Sequence, residues 1–324
     1  MSVALCAMSH SPLMGTVDPP PDVVADVTRA LDGARDFVAD FGPELVVVFA
    51  PDHYNGFLYD VMPPFCIGTS ATSVGDYGLP TGDLRVDADT ARAVTARVLD
   101  AGVDVACSER MRVDHAAVQP LKLLFGAADA VPVVPVFVNC VAEPLGPPVR
   151  SVALGRAVAR ALDGDPRRIL FLASGGLSHD PPVPRLREAA PEVAERITVR
   201  REVTPAERHA REARTIAAAR LFAAGESPHR DLNPDWDAAF LDACVAADTA
   251  AFTAQPPSWF AAQAGNSAHE VRTWLAAYAA LGTHGPYTVT QRFYRPIREW
   301  FVGYAVTTAA TTASNAHDDE RAPA

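Results

Sequence analysis

Leu45-Val46-Val47-Val48-Phe49-Ala50-Pro51-Asp52-His53 decides the fold class. Six apolar residues stand in a row, rich in β-branched and aromatic side chains, and Pro51 stops the run because it cannot continue a hydrogen-bonded ladder. A strand that is apolar at every position leaves no face for water, so it belongs inside a sheet covered on both sides. Val3–Met8, Val133–Val138 and Ile169–Ala173 repeat the pattern, and Val103–Cys107 is a shorter version of it. Between these runs lie segments with helical spacing. Val23–Phe41 carries apolar residues at Val24, Val27, Leu31, Ala34, Val38 and Phe41, and Ala88–Leu99, Pro120–Phe125 and Val149–Leu162 follow. Strands alternating with helices predict an α/β protein whose mainly parallel central sheet is flanked by helices.

The second half reads as more helical, over roughly 190–224, 235–250 and 267–281. Residues 287–306 alternate with aromatics and predict a C-terminal β-hairpin around Arg295-Pro296. From Thr307 the chain becomes Ala, Thr, Ser, Asp and Glu. That change predicts one domain over residues 1–306 and a disordered tail over 307–324.

Charge narrows the functional classes. The 324 residues carry 39 acidic against 28 basic side chains, a formal net charge of -11, and Lys122 is the sole lysine. Such a surface argues against nucleic acid and anionic membrane as partners. It also sets a condition: an anionic substrate needs a local arginine cluster to offset the field. No apolar run approaches the roughly 20 residues of a membrane-spanning helix. The five cysteines are scattered among apolar neighbours without a C-x-x-C pair. They read as reduced thiols of a cytoplasmic protein rather than a disulfide framework or zinc ribbon. There is no G-x-G-x-x-G, Walker loop or G-x-S-x-G elbow. Ser174-Gly175-Gly176 reads as a tight turn.

Four histidines follow strand signals: His10 in Ser9-His10-Ser11-Pro12, His53 after Pro51-Asp52, His115 after Val113-Asp114, and His179 in Leu177-Ser178-His179-Asp180. In parallel sheets ligands bind beyond the carboxyl ends of the strands, so His10, His53 and His179 are predicted at one sheet edge. His115 is placed in a loop after the strand near 103–107. Neutral imidazole is both a common metal ligand and the usual acid–base group near neutral pH. His10 and His53 are the candidate ligands. His115 and His179 are the candidate acid and base, with Asp114 and Asp180 available to orient them. Asp52 reads as a supporting or turn-forming residue, because successive strand side chains point to opposite faces. Glu270 could complete a ligand set, but Ser267-x-x-Glu270 also spells a capping box, and residue physics alone favours the cap.

These motifs together resemble the class III extradiol catechol dioxygenases, the protocatechuate 4,5-dioxygenase β-subunit superfamily. The resemblance is carried by Ser9-His10-Ser11-Pro12, Phe49-Ala50-Pro51-Asp52-His53-Tyr54-Asn55, Val113-Asp114-His115, Ser174-Gly175-Gly176-Leu177-Ser178-His179 and Asn266-Ser267-Ala268-His269-Glu270. Tyr59–Cys66 and Tyr294-Arg295-Pro296-Ile297 add to it, and it covers about residues 1–306. It implies a mononuclear ferrous ion, Fe(2+), held by His10, His53 and Glu270, against the capping-box reading. It implies His115 as proton donor and His179 as proton acceptor. The implied reaction uses O2 to open 2,3-dihydroxyphenylpropionate, with 2,3-dihydroxycinnamate as a second substrate, beside its hydroxyls to a 2-hydroxy-6-oxo-nona-dienedioate. A homo-oligomer, tetrameric or larger, fits the same resemblance. Arg295 and Arg112 are the candidates for the substrate carboxylate, chosen by proximity to the motifs. Two alternatives stay open: a metal-binding member of the superfamily without dioxygenase activity, and a zinc hydrolase. The ligand set does not separate Fe(II) from Mn(II).

Overall fold

The computed structural model describes residues 2–312. The first half runs β1 (Ser2–Met8), α1 (Pro21–Phe41), β2 (Leu45–Ala50), β3 (Phe65–Gly68), β4 (Ala71–Val74), β5 (Thr81–Asp83), α2 (Ala88–Asp100), β6 (Ala106–Ser108), β7 (Met111–Val113), α3 (His115–Phe125), β8 (Val133–Val138) and α4 (Val149–Ala161). The second runs β9 (Arg168–Ser174), α5 (Pro191–Thr198), α6 (Pro205–Ala223), α7 (Pro234–Val245), α8 (Ala250–Thr253), α9 (Pro257–Ala264), α10 (Val271–Thr283), β10 (Tyr287–Ile297) and β11 (Val302–Thr311).

Eight strands form one sheet in the order β10-β11-β1-β9-β2-β8-β3-β6. Its centre, β1, β9, β2 and β8, is parallel throughout. The runs read from sequence as fully apolar are these strands. Their alternation divides the core. Leu5, Val47 and Phe171 pack with Val94 of α2, Val158 of α4 and Trp274 of α10. Cys6, Val48 and Leu172 pack with Leu31 of α1 and Leu121 of α3. β1, β9 and β2 are adjacent and point the same way, so the segments after Met8, Ser174 and Ala50 leave one edge together.

Several expectations are corrected. Thr307–Thr311 are not tail: they belong to β11, paired with both β1 and β10. Their small and β-branched side chains suit a strand between two others, and the Thr307 hydroxyl meets Tyr278 Oη at 2.8 Å. The rest of the expected tail, 313–324, lies outside the described residues. The hairpin does not turn at Arg295-Pro296. Both residues sit in β10, opposite Tyr304 and Gly303, and the chain reverses at Arg298–Phe301. The helix expected over 190–224 is α5 and α6, separated where a Thr204–Glu207 capping box and Pro205 restart the helix. His115 is no loop residue: Asp114 caps α3, and His115 is its first residue.

A second sheet, β5-β4-β7, was not legible in the sequence, because its strands are three or four residues long. β4 and β7 are parallel neighbours, so the residues after them come together too.

Candidate active site

Each chemically important side chain follows the end of a strand or starts a helix. β1 leads to His10, β2 to His53 and β9 to His179. β4 leads through Gly75 to Asp76, and its parallel neighbour β7 leads to Asp114 and His115. Glu270 immediately precedes α10. His10, His53, His115, His179 and Glu270 line one cavity of about 630 Å³. That is a small-molecule volume.

Three Nε2 atoms converge on the Glu270 carboxylate: His53 at 3.2 Å and His179 at 3.2 Å from Oε1, and His10 at 3.6 Å from Oε2. Oε2 also accepts the Gly176 N–H at 2.8 Å. The Ser174-Gly175-Gly176 turn makes this possible. A Cβ on Gly175 would lie 2.6 Å from the Glu270 carbonyl oxygen, so only glycine lets the β9 turn touch the start of α10. The capping box that residue physics alone favoured is absent. Ser267 makes no side-chain cap bond, and Glu270 is turned into the cavity, 1% exposed.

Nδ1 of His10, His53, His115 and His179 is engaged in each case. His53 Nδ1 lies 3.1 Å from Asp114 Oδ2, His115 Nδ1 2.5 Å from Asp76 Oδ2, His179 Nδ1 2.9 Å from the Leu177 carbonyl, and His10 Nδ1 2.9 Å from Ser174 Oγ. A ring that donates through Nδ1 to a carboxylate or carbonyl presents an Nε2 lone pair, the form in which imidazole binds metals. The stacked rings of His53 and His115 lie 4.6 Å apart, and one ligand atom each of His10, His53 and His115 falls within 4.8 Å of the others. Geometry therefore gathers the four histidines without dividing their labour.

Charge at the centre fits a cation. Burial alone would raise Glu270, but the charge of His179 and the hydrogen bonds of His179 and His53 hold its carboxyl well below the usual range. Burial would lower His53 and His179. Asp114 and Glu270 outweigh it at His53, and Glu270 outweighs it at His179, so both rings are raised. Asp114 is likewise held low, by His115 and His53 against its own burial. His10 is the exception: burial pushes it down to about 3, which keeps it neutral and able to coordinate. Two buried carboxylates that demand positive charge, with imidazole lone pairs beside them, are a donor set for a divalent metal.

Sequence adjacency misassigned Asp114 and Asp180, whereas Asp52 is the turn-forming residue expected. Asp52 folds the turn after β2, accepting the N–H groups of Asn55, Gly56 and Phe57 at 2.8–3.1 Å. Asp114 orients His53 rather than His115, accepting its backbone N–H at 2.8 Å as well as its ring. The carboxylate on His115 is Asp76, which the sequence reading missed because β4 and β7 were not seen. Asp180 accepts from Asn266 and Arg230, and neither of these bonds reaches the His179 ring. Arg295 and Arg112 do not line the cavity. Arg295 is exposed and paired with Asp26 on α1, while Arg112 borders a separate void of about 10 Å³, room for little more than one water. The arginines facing the cavity are Arg196, Arg208, Arg211 and Arg214, from α5 and α6.

The family model described as "Catalytic LigB subunit of aromatic ring-opening dioxygenase" matches residues 4–305. A 2,3-dihydroxyphenylpropionate/2,3-dihydroxicinnamic acid 1,2-dioxygenase of Rhodococcus sp. is 57% identical over 309 residues, covering 95% of this chain and 98% of that one. A protein of the same name from Rhodococcus jostii is 55% identical over 309 residues, with the same coverage. Another from Paraburkholderia xenovorans is 53% identical over 300 residues, 93% of this chain and 95% of that one. No helix among the described residues is long and apolar enough to cross a membrane.

Proposed function

This chain belongs to the family of catalytic LigB subunits of aromatic ring-opening dioxygenases, and from that premise we propose that it opens 2,3-dihydroxyphenylpropionate and 2,3-dihydroxycinnamate beside their hydroxyls with O2. The family implies a metal cofactor. We assign that metal as Fe(II), with His10, His53 and Glu270 as its ligands. One observation carries the reading: at one end of a small-molecule cavity, imidazole Nε2 atoms converge on a buried carboxylate while every Nδ1 is engaged elsewhere.

When bound, Fe(II) supplies Lewis acidity and open positions at which a catechol and O2 can meet. His179 serves as base. Its Nδ1 donates to the Leu177 carbonyl, so Nε2 is the atom that accepts the catechol proton. His115 serves as acid. Asp76 holds its Nδ1 and fixes the ring, leaving Nε2 to deliver a proton where the leaving oxygen gains charge. Ser174 and Asp114 fix the rings of His10 and His53. Trp300, Phe301, Val302 and the Pro181–Pro184 segment give the cavity an apolar wall that suits an aromatic ring and limits water. A cytoplasmic homo-oligomer, tetrameric or larger, completes the proposal, and light scattering of the purified chain checks the assembly.

The test is oxygen uptake after anaerobic Fe(II) loading, across a panel of catechols. The reading predicts uptake and a yellow ring-fission product with 2,3-dihydroxyphenylpropionate. Metal binding without turnover of any catechol, or stoichiometric zinc with hydrolytic activity, would overturn it.

A further inference from the structure

An acidic chain that takes an anionic substrate has to build a positive field at the site, and α5 and α6 build one. Arg208, Arg211 and Arg214 recur at three-residue spacing, which puts them along one side of α6 facing the cavity, and Arg196 joins them from α5. Two of the four are occupied. Arg208 donates to the Val74 carbonyl, and Arg211 donates to the His53 carbonyl at 3.2 Å and to Asn55 Oδ1 at 3.3 Å. These bonds tie α6 to the loops that carry Asp76 and His53. Arg196 and Arg214 make no hydrogen bond or ion pair among the described residues. Their exposed neighbours Arg200 and Arg201 pair with Asp60 and Glu207. Burial, and then the charges of Arg211 and Arg214, hold the half-buried Arg196 guanidinium below its ordinary value. The acidic groups on this side of the cavity do not neutralise it: Glu212 accepts the Tyr77 N–H at 2.7 Å, and Glu192 is exposed one turn before Arg196.

We propose that Arg196, assisted by Arg214, binds the side-chain carboxylate of the substrate and gives the enzyme its preference for catechols with an anionic tail. The inference rests on the ring-cleavage reading above. A guanidinium without a protein partner, facing the cavity that holds the metal ligands, offers a carboxylate two parallel N–H donors. Arg295 and Arg112, the expectations from sequence, have no place in this arrangement.

The experiment compares kcat/KM for 2,3-dihydroxyphenylpropionate with that for 3-propylcatechol, which differs by the carboxylate, in the wild type, Arg196→Gln and Arg196→Lys. The selectivity ratio should fall about 10–100-fold in Arg196→Gln, through KM rather than kcat, and partly recover in Arg196→Lys. Equal losses on both substrates, or an unchanged ratio, would overturn the proposal. A second measurement needs no turnover: calorimetric binding of 3-phenylpropionate, which carries the carboxylate but no hydroxyls. Wild type should bind it about tenfold more tightly than Arg196→Gln. If no catechol is cleaved yet this binding depends on Arg196, the ring-cleavage reading fails and the carboxylate site stands. If catechols are cleaved and neither measurement responds to Arg196, the site fails and the ring-cleavage reading stands.

Discussion

Replacing Asp114 with Asn changes one atom and removes the charge that orients His53. Asp114 Oδ2 accepts three donors, the His53 N–H at 2.8 Å, His53 Nδ1 at 3.1 Å and Asn55 Nδ2 at 3.0 Å, while Oδ1 caps α3 through the Ala116 N–H at 3.0 Å. An amide has one acceptor atom, so it can serve one side only. If its oxygen keeps the helix cap, its NH2 faces three donors, costing about 3 kcal/mol or more at roughly 1 kcal/mol each. If it turns its oxygen to His53, the cap is lost and the cost is about 1 kcal/mol. The second orientation is cheaper, so Asp114→Asn should melt slightly lower and remain folded. The larger effect falls on the metal. A neutral acceptor no longer supports the imidazole, and loss of such a carboxylate partner typically weakens metal binding by about 10–100-fold. Anaerobic competition against a chromogenic chelator measures this directly, with circular dichroism to confirm folding. A folded variant whose Fe(II) affinity stays within about twofold of wild type would refute the reasoning, because the His53–Asp114 pair would then not tune the ligand.

Three further outcomes follow from the structure. His179→Ala should keep its fold and bound metal but turn over about 10²–10⁴-fold more slowly, and wild-type rates in single-turnover kinetics would remove His179 from proton transfer. Gly155→Ala places a Cβ 1.9 Å from the Ala276 carbonyl oxygen, forcing α4 away from α10, and should cost about 3 kcal/mol in chemical denaturation; an unchanged midpoint would mean the two helices yield freely. Asp237 is buried and accepts from Ser178 and Tyr294, yet burial pushes its carboxyl up to about 6. The folded chain thus holds that proton more tightly than the unfolded chain. The site's contribution is full below the ordinary carboxylate range and is lost as pH rises through about 6. Wild type should therefore lose stability relative to Asp237→Asn between pH 4 and 7, by on the order of 2–3 kcal/mol, and parallel pH profiles would contradict this.

The sheet was legible because its central strands are buried on both faces, and that burial is written in the sequence as unbroken apolar runs such as Leu45–Ala50. The edge that gathers His10, His53 and His179 follows from the parallel order of β1, β9 and β2, which the strand–helix alternation implies. What was hidden depends on contacts without local pattern. β4 and β7 are too short to show periodicity, and with them went Asp76, the true partner of His115. Asp180 sits beside His179 in sequence but holds Asn266 and Arg230 instead, while Asp52 folds its turn as strand alternation implied. Ser267-x-x-Glu270 has the spelling of a capping box, but the Gly175–Gly176 turn and three imidazoles compete for the same carboxylate and win. The Ala- and Thr-rich stretch from Thr307 looks like tail by composition, and only its neighbours β1 and β10 make it a strand. The cavity arginines did leave a signal, a run of seven between Arg196 and Arg220 in an acidic chain. Their orientation toward the site required α5 and α6 to be in place.

The most direct test of ring opening at His10, His53 and Glu270 is turnover of 2,3-dihydroxyphenylpropionate under isotopically heavy oxygen gas by the Fe(II)-loaded chain, with Glu270→Gln alongside. Wild type should place both atoms of one O2 in a 2-hydroxy-6-oxo-nona-dienedioate, and the variant should bind no iron and yield no product. Product lacking heavy oxygen, or a Glu270→Gln protein that holds iron and cleaves the ring as wild type does, would contradict the account.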